Sequence, residues 1–541
     1  MITEILHVSS RCGGGKSLNT LKELYPYLVK NSEETVIFAS KTNDLTQQNH
    51  AGFLKIVAQR VDPVASVRVD SSTDKGAVIR ELSELLTAGY SGVIFTSHSA
   101  IARIHSSLLK KVRLLVDEVP QELVESIQVR YEAKDQGAKW ESFLTTHPSS
   151  HTGYQKTVLH PSVSQENVQR YIDNIREGRD TSTTQEVASL LEFLLADYEV
   201  MYTTVCDAKK RVYRLYQAIH WQKLDQIISN VAHFAILSAQ LRGTLLGFVA
   251  EHHCGIPIQE VPVTSQINLE AKHSNKARII PLLAGGNWSA TLKEKPANEA
   301  LSYQGVPVSS PEPVALYAQQ VAEQILGAKG CLLVLNKDDP LHAGLDRGNV
   351  ERITIAVHGS NNYRHFDHAV YLASSRPNPF EVKSLQMFAV DHNLPENGIT
   401  QAVMTERCYE AAYQCIARTS IRNPQADPNK EHLFIVPDME YAKYIQSWFE
   451  PGYAIIDAQY AHTKQPTARR DKEKENRRAV VIRILTDYQA KQGKRKDLIM
   501  QAGISESSFR RYKKEFRAEL EGLGLIRPKR SSTKTGTKTA A

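Results

Sequence analysis

Short apolar, β-branched runs alternate with amphipathic stretches through the first third of the chain. Ile5–Val8, Thr35–Ala39, Ser66–Val69, Gly92–Thr96 and Leu114–Val116 read as buried strands, and Leu18–Val29 and Gly76–Leu86 as helices between them. Strands separated by helices of this length build a parallel sheet covered on both faces. From about 133 to 224 the period becomes helical, in Gln185–Ala208 and Arg211–Leu224, which predicts a helical insertion. The strand pattern returns at His233–Leu237, so residues 1–132 with 225–268 are expected to form one domain. A second strand set, Ala277–Pro281, Cys331–Leu335, Arg352–Ala356, Ala369–Leu372 and His432–Val436, predicts another over 269–463. Residues 464–478 read as a basic linker or exposed helix start, 479–527 as a small all-α domain, and the low-complexity tail 528–541 as disordered.

Composition narrows the class. Six cysteines are scattered at 12, 206, 254, 331, 408 and 415 with no CxxC pair, which is the usage of reduced thiols in a cytoplasm, host cytoplasm included for a viral chain. The start lacks the basic and apolar regions of a secretory signal, and the most apolar window, Val231–Ala250, carries His233, Gln240 and Arg242. No membrane partner is expected. Charge is divided sharply. From Lys464 onward there are 22 Lys and Arg against 9 Asp and Glu, a balance of +13, while the rest of the chain carries −6. The last 78 residues therefore look like a nucleic-acid-binding appendage on an acidic enzyme.

Ser10-Arg-Cys-Gly13-Gly14-Gly15-Lys16-Ser17 lies between a predicted strand and a predicted helix. Glycines there let backbone N–H groups converge on phosphates, the helix N-terminus favours anions, Lys16 neutralises charge and Ser17 can ligate Mg²⁺. Leu114-Leu-Val-Asp117-Glu118 ends an apolar strand with two carboxylates. Asp117 can hold the Mg²⁺ water shell, and Glu118 can take a proton from an attacking water. The cofactor set implied is ATP with Mg²⁺.

The order of motifs over residues 5–450 resembles a superfamily 2 helicase. The resemblance implies two RecA-like parallel-sheet domains; with the helical insertion in the first and an all-α helix-turn-helix domain at the C-terminus read from the residues, the expected fold is α/β. The resemblance also implies backbone contacts to nucleic acid at Thr42, after the second strand, and at Thr96, in Thr96-Ser97-His98. Ser238-Ala239-Gln240 is similar to the family's Ser-Ala-Thr coupling motif, departing at its third position. Gly359 and Asn361, in Val357-His-Gly359-Ser-Asn361-Asn362-Tyr363, resemble the motif that touches ATP and nucleic acid. Gln414-Cys-Ile-Ala-Arg418-Thr-Ser-Ile-Arg422 resembles Gln-x-x-Gly-Arg-x-x-Arg, with Ala417 for Gly and the second Arg one residue late. Gln414, Arg418 and Arg422 are thereby implied as catalytic with Glu118. Asp-Glu-Val-Pro in place of Asp-Glu-Ala-Asp, and a start on the first strand, argue against a DEAD-box RNA helicase.

Lys494–Lys514 reads as a helix-turn-helix. Leu498, Ile499 and Ala502 give an apolar face, Gly503 the turn and Ser505 the cap of a second helix bearing Arg510, Arg511, Lys513 and Lys514. The layout resembles viral origin-binding helicases and mobile-element replication proteins, which implies single- and double-stranded DNA and replication proteins as partners. The expectation is an ATP-dependent DNA helicase or translocase. An ATP-switched DNA-binding regulator and an RNA helicase are the alternatives.

Overall fold

The computed structural model describes residues 4–71, 77–132, 139–206, 211–261, 272–286, 288–355, 362–423, 427, 429–465, 468–490, 493–502, 504–523 and 525–526. They fall into two compact units, Met1–Lys295 with Glu312–Thr463, and Pro296–Pro311 with the chain from Lys464.

The first unit begins with strands β1 (Ile5–Ser9), β2 (Thr35–Ser40), β3 (Ser66–Arg68), β4 (Gly92–Ser97) and β5 (Arg113–Asp117). An insertion follows, with β6 (Glu125–Glu132), β7 (Leu144–Pro148), β8 (Gln155–Leu159), β9 (Val200–Cys206) and β10 (Val212–His220). Then come β11 (His233–Ser238) and β12 (Ile258–Val261). Leaving the insertion aside, these strands form one parallel sheet in the order β12-β1-β11-β5-β2-β4-β3. Helices Lys16–Lys30 and Asn43–Ala58 cover one face, over Leu24, Phe38, Phe53 and Phe95. The other face packs Ile37, Ile94, Val116 and Ile236 under Val78–Thr87, Gln222–Ile228 and Leu245–His252. Parallel registers put Ser9 beside Ser238, Asp117 beside Ser40 and Ser40 beside Ser97. Polar residues thus share the carboxyl edge of the sheet, where open α/β folds place their ligands.

The second parallel sheet is built by β13 (Ala277–Leu283) and the later strands β16 (Cys331–Val334), β17 (Val350–Ile353), β18 (His368–Tyr371), β19 (His432–Asp438) and β20 (Ala454–Ile456), in the order β17-β16-β18-β19-β13-β20. The intervening β14 (Leu301–Tyr303) and β15 (Val306–Pro307) belong to the other unit. The chain is therefore α/β with two RecA-like parallel sheets. β17 lies two residues before the strand expected at Arg352–Ala356, and Ala356 is outside the described residues.

The insertion is not helical, and that expectation is corrected. Its strands form an antiparallel sheet, β6-β10-β9-β8-β7, starting at Glu125 rather than near 133. Among the described residues its α-helices are Gln165–Arg176 and Gln185–Leu195, with one 3-10 turn at Lys139–Phe143. The helix expected to run to Ala208 stops at Leu195, and Asp197 adopts the left-handed conformation (φ 58°). The following Val-Met-Tyr-Thr-Thr-Val is β-branched and aromatic, and it pairs with β10 in a two-residue alternation. Ile127, Val129, Tyr216 and Ala218 pack on the two helices. On the opposite face Gln128 accepts from Asn378 Nδ2 (2.6 Å) and Gln217 Nε2 donates to Phe380 O (2.8 Å), so this sheet also meets helix Pro379–Asp391 of the second sheet's domain.

In the second unit, helices Ala468–Gln489, Arg495–Gln501, Glu506–Glu515 and Arg517–Gly522 enclose Val481, Ile484, Leu498, Phe509 and Leu520. The stretch expected as a linker is the start of the first of these helices. Ser505 Oγ caps Glu506–Glu515 by accepting from Ser508 N (3.1 Å). Gly503 and the tail from 527 lie outside the described residues. Among the described residues no helix is long and apolar enough to cross a membrane.

Under helix Lys16–Lys30 an apolar cavity of about 290 Å³ is lined by Leu6, Val8, Leu115, Leu237 and Glu23. Burial pushes the Glu23 carboxyl up to about 7. An acid raised in the folded state loses its proton first in the unfolded chain, so stability falls as pH rises from about 4.5 to about 7. Glu23→Gln is expected to remove this loss. Thermal melts should show a gain of roughly 2 °C at pH 8 and none at pH 4.

Candidate active site

Six residues after β1, the chain turns into helix Lys16–Lys30 through a loop that only glycine fits. Gly13 and Gly15 are left-handed, with φ 78° and 79°. A Cβ on Gly14 would stand 2.0 Å from Ser10 Oγ. The turn lets Lys16 Nζ donate back to Ser10 O (2.8 Å) and Arg11 O (3.2 Å). Burial lowers the Lys16 pKa, while Asp117, Glu410 and Glu118 oppose that shift.

Ser17 Oγ donates to Asp117 Oδ1 (2.8 Å), and Asn49 Nδ2 donates to Asp117 Oδ2 (3.0 Å) and Ser40 Oγ (3.0 Å). Burial, and then Glu118 beside it, raises the Asp117 carboxyl above its ordinary range. Glu118 is left-handed (φ 73°) and its N–H donates to Leu237 O (2.9 Å), which turns it out of the sheet's alternation at the strand end. His98 Nε2 lies 3.0 Å from Asp117 O, and its Nδ1 lies 3.7 Å from Glu122.

The second sheet's domain closes over these groups. Its helical run Glu396–Ile416 contains a π-turn at Thr405–Glu410. From this run and the turn after it, Glu406, Glu410, Gln414 and Arg418 line a cavity of about 330 Å³ with Glu118 and Gln240 of the first domain. Arg418 is buried. Gln414 Nε2 donates to Glu410 Oε1 (3.1 Å), and Tyr444 OH donates to Glu410 Oε2 (2.7 Å). Arg422 packs on the glycine loop: a Cβ on Gly13 would meet Arg422 Cβ at 2.7 Å. Tyr413 OH accepts from Cys12 N (3.0 Å) and lies 2.9 Å from His273 Nε2. Burial pushes the Cys12 thiol up to about 12, so it is protonated and unreactive at neutral pH.

Gly13, Gly14, Gly15, Lys16, Ser17, Asp117, Glu118, Gln414, Arg418 and Arg422 therefore converge on one cleft. Thr42 is apart from them, capping helix Asn43–Ala58 by accepting from Leu45 N. Thr96 is corrected: it is fully buried on a strand covered on both faces and donates to Val69 O (2.8 Å), so it presents nothing to nucleic acid. Gly359 and Asn361 lie outside the described residues. Arg510, Arg511 and Lys514 are exposed on helix Glu506–Glu515 and Lys513 is half-buried; Arg510 Nε is 3.4 Å from Glu506. Asn49, His98, Glu406, Glu410 and Tyr413 were not foreseen. For Glu410 the signal was its place four residues before Gln414, on one helix face. Asn49 and His98 carry no sequence signal.

No protein-family model and no curated protein matches the sequence. Solved structures do. An XPD helicase is 12% identical, with 84% of this chain and 96% of that chain covered and a TM-score of 0.47. The DUF1998 helicase MrfA bound to DNA is 11% identical, covering 84% and 48%, with a TM-score of 0.34. The DEAD-box helicase Mss116 bound to ssRNA and UDP-BeF is 11% identical, covering 97% and 88%, with a TM-score of 0.33.

The Tyr413 hydroxyl serves both the glycine loop and a buried histidine. Tyr413→Phe strands the Cys12 N–H, and chemical denaturation is expected to show a loss of about 1–2 kcal/mol with the fold retained.

Proposed function

We propose that this chain is an ATP-dependent nucleic-acid motor, a DNA helicase or translocase, whose C-terminal helices hold duplex DNA. The observation that carries the reading is the union of Lys16, Ser17 and the Asp117–Glu118 pair at one sheet edge, facing Gln414, Arg418 and Arg422 of the other domain. ATP would be the substrate. The left-handed glycines give the loop the backbone shape that can turn N–H groups toward phosphate oxygens, and Lys16 would supply charge against them. Ser17 and Asp117 are the donors that would hold Mg²⁺, a hard cation that accepts a hydroxyl and a carboxylate and completes its shell with phosphate oxygens and water. When bound, that ion supplies charge neutralisation between the phosphates.

The remaining work falls to the chain. Glu118 accepts the proton of the water that displaces ADP from the terminal phosphoryl group. Gln414, held by Glu410, orients a polar group in the same cavity. Arg418 and Arg422 bring positive charge from the second domain, so they act on the transferring phosphoryl only while the cleft is closed. Arg510, Arg511, Lys513 and Lys514 suit phosphates and base edges of a major groove.

ATPase activity measured without nucleic acid, and with single-stranded DNA, duplex DNA and RNA, tests the reading. Stimulation by DNA is expected; hydrolysis unaffected by any nucleic acid would favour an ATP-switched regulator instead. Lys16→Ala should weaken nucleotide binding. Glu118→Gln should bind ATP and fail to turn it over, and Arg418→Ala should cut turnover on the order of 10³-fold with affinity largely kept. Equal loss of affinity in all three would contradict the roles given.

The basic helix makes a separate prediction. Replacing Arg510 and Arg511 with Ala should weaken duplex binding and make the dependence of log affinity on log salt shallower by about 2. Titrations at several salt concentrations measure this. An unchanged slope would assign those arginines to solvent.

A further inference from the structure

The helical run Glu396–Ile416 presents Gln414 to the cleft, and Arg418 follows just beyond its end, while its π-turn points a carboxylate at the first domain. Glu406 Oε2 accepts from Leu245 N (2.8 Å), the first N–H of helix Leu245–His252. The Gln121 side chain, just after Asp117-Glu118-Val-Pro, lines the same cavity as Glu406 and favours its charged form. Lys41, after β2, and Arg407 add positive charge around it. The loop from Ser238 to Thr244 abuts the same turn, since a Cβ on Gly243 would meet Thr405 Cγ2 at 3.3 Å and Gln240 Nε2 at 2.6 Å. A regular α-helix would carry successive side chains round by one fixed angle. The π-turn inserts an extra residue, so Glu406 meets the first domain while Arg407 reaches back to Glu381 (2.6 Å) in its own domain.

We propose that Glu406 is a positioning residue that ties the loops following β5 and β11 to the helix presenting Gln414, so that movement of the second domain is transmitted to both loops through one carboxylate. This rests on the proposed ATP-driven reading of the cleft. It also explains how the chain tolerates Gln240 where Ser-Ala-Thr would be expected: the tie lies one turn further on, at a backbone N–H that no substitution at position 240 removes.

The test is steady-state ATP hydrolysis by the full chain, with and without a single-stranded DNA oligonucleotide, for wild type, Glu406→Ala, Glu406→Gln and Gln121→Ala. Glu406→Ala is expected to lower DNA-stimulated kcat about tenfold, the value of one hydrogen bond to a charged acceptor, with the KM for ATP kept within about twofold. Glu406→Gln retains an acceptor oxygen and should recover most of that loss. Gln121→Ala should show a smaller loss of the same kind. A stimulated kcat unchanged in Glu406→Ala overturns the proposal, and so does a KM that rises as kcat falls. If Glu406→Ala does not fold, an unchanged stimulated kcat in Gln121→Ala overturns it. A wild type that hydrolyses no ATP overturns the reading of the cleft itself, a result that no variant is needed to see.

Discussion

The hydrogen bond from Ser17 Oγ to Asp117 Oδ1, 2.8 Å long, joins the first turn of helix Lys16–Lys30 to the end of β5, a strand separated from β1 in the sheet by β11. It can form only if β1, β11 and β5 keep parallel register to their last residues, and the pairs Ser9 with Ser238 and Leu237 with Asp117 are that register. One residue of slip would turn Asp117 to the other face. Asn49 binds the second oxygen of the same carboxylate and so brings in the helix after β2. Three connections of the sheet are thereby fixed on one acidic side chain. Burial raises Asp117 and lowers Lys16, each against the opposing charge nearby, so the site holds its charges at a desolvation cost that sheet packing must offset.

That cost explains where the second domain places its groups. Glu410 is buried and raised in the same way, and Lys16 is among the charges opposing its shift. Gln414 and Tyr444 satisfy its two oxygens from within its own domain. Gln414 and Arg418 follow within eight residues and line the cleft beside Glu410, while Tyr413 and Arg422 of the same stretch contact the glycine loop. The arrangement is economical because a helix with a π-turn followed by a tight turn can aim neighbouring residues in directions that a regular helix would not.

Much of this was legible in the sequence. The strand–glycine loop–helix pattern and the acidic pair at a strand end each combine a residue type with a local geometry that the residues themselves impose, whereas Gln414, Arg418 and Arg422 were legible only through a resemblance of motifs. The parallel sheets were legible because their strands are short β-branched runs parted by amphipathic helices. What escaped has a common cause. Thr96 was misassigned because both faces of β4 are covered, so even its polar end residue is buried, and that burial is set by distant packing. The insertion was misread because the stretch from Val200 to His220 has apolar residues at both helical and strand spacings, and pairing of β9 with β10 decides between them. Asn49, His98 and Glu406 depend on contacts across about 20 to 160 residues of sequence, which no local pattern encodes.

The insertion is rooted where the chemistry is. The chain leaves β5 through Glu118 and enters β6 seven residues later; it leaves β10 at His220 and, through helix Gln222–Ile228, returns to β11, which pairs with β5. Since β6 and β10 are themselves paired, the exit and the return lie side by side. The insertion is thus held at the end of β5 by two adjacent roots. Its other face touches helix Pro379–Asp391, the helix whose Glu381 is bound by Arg407 of the π-turn. Two physical routes therefore run between the end of β5 and the second domain: a short one through Gln121 and Glu406, and a longer one through the insertion's sheet and the Pro379–Asp391 helix. Both end on the π-turn. The Gln128–Asn378 and Gln217–Phe380 bonds on the longer route, and the Leu245–Glu406 bond on the shorter, are the ties by which each reaches the second domain.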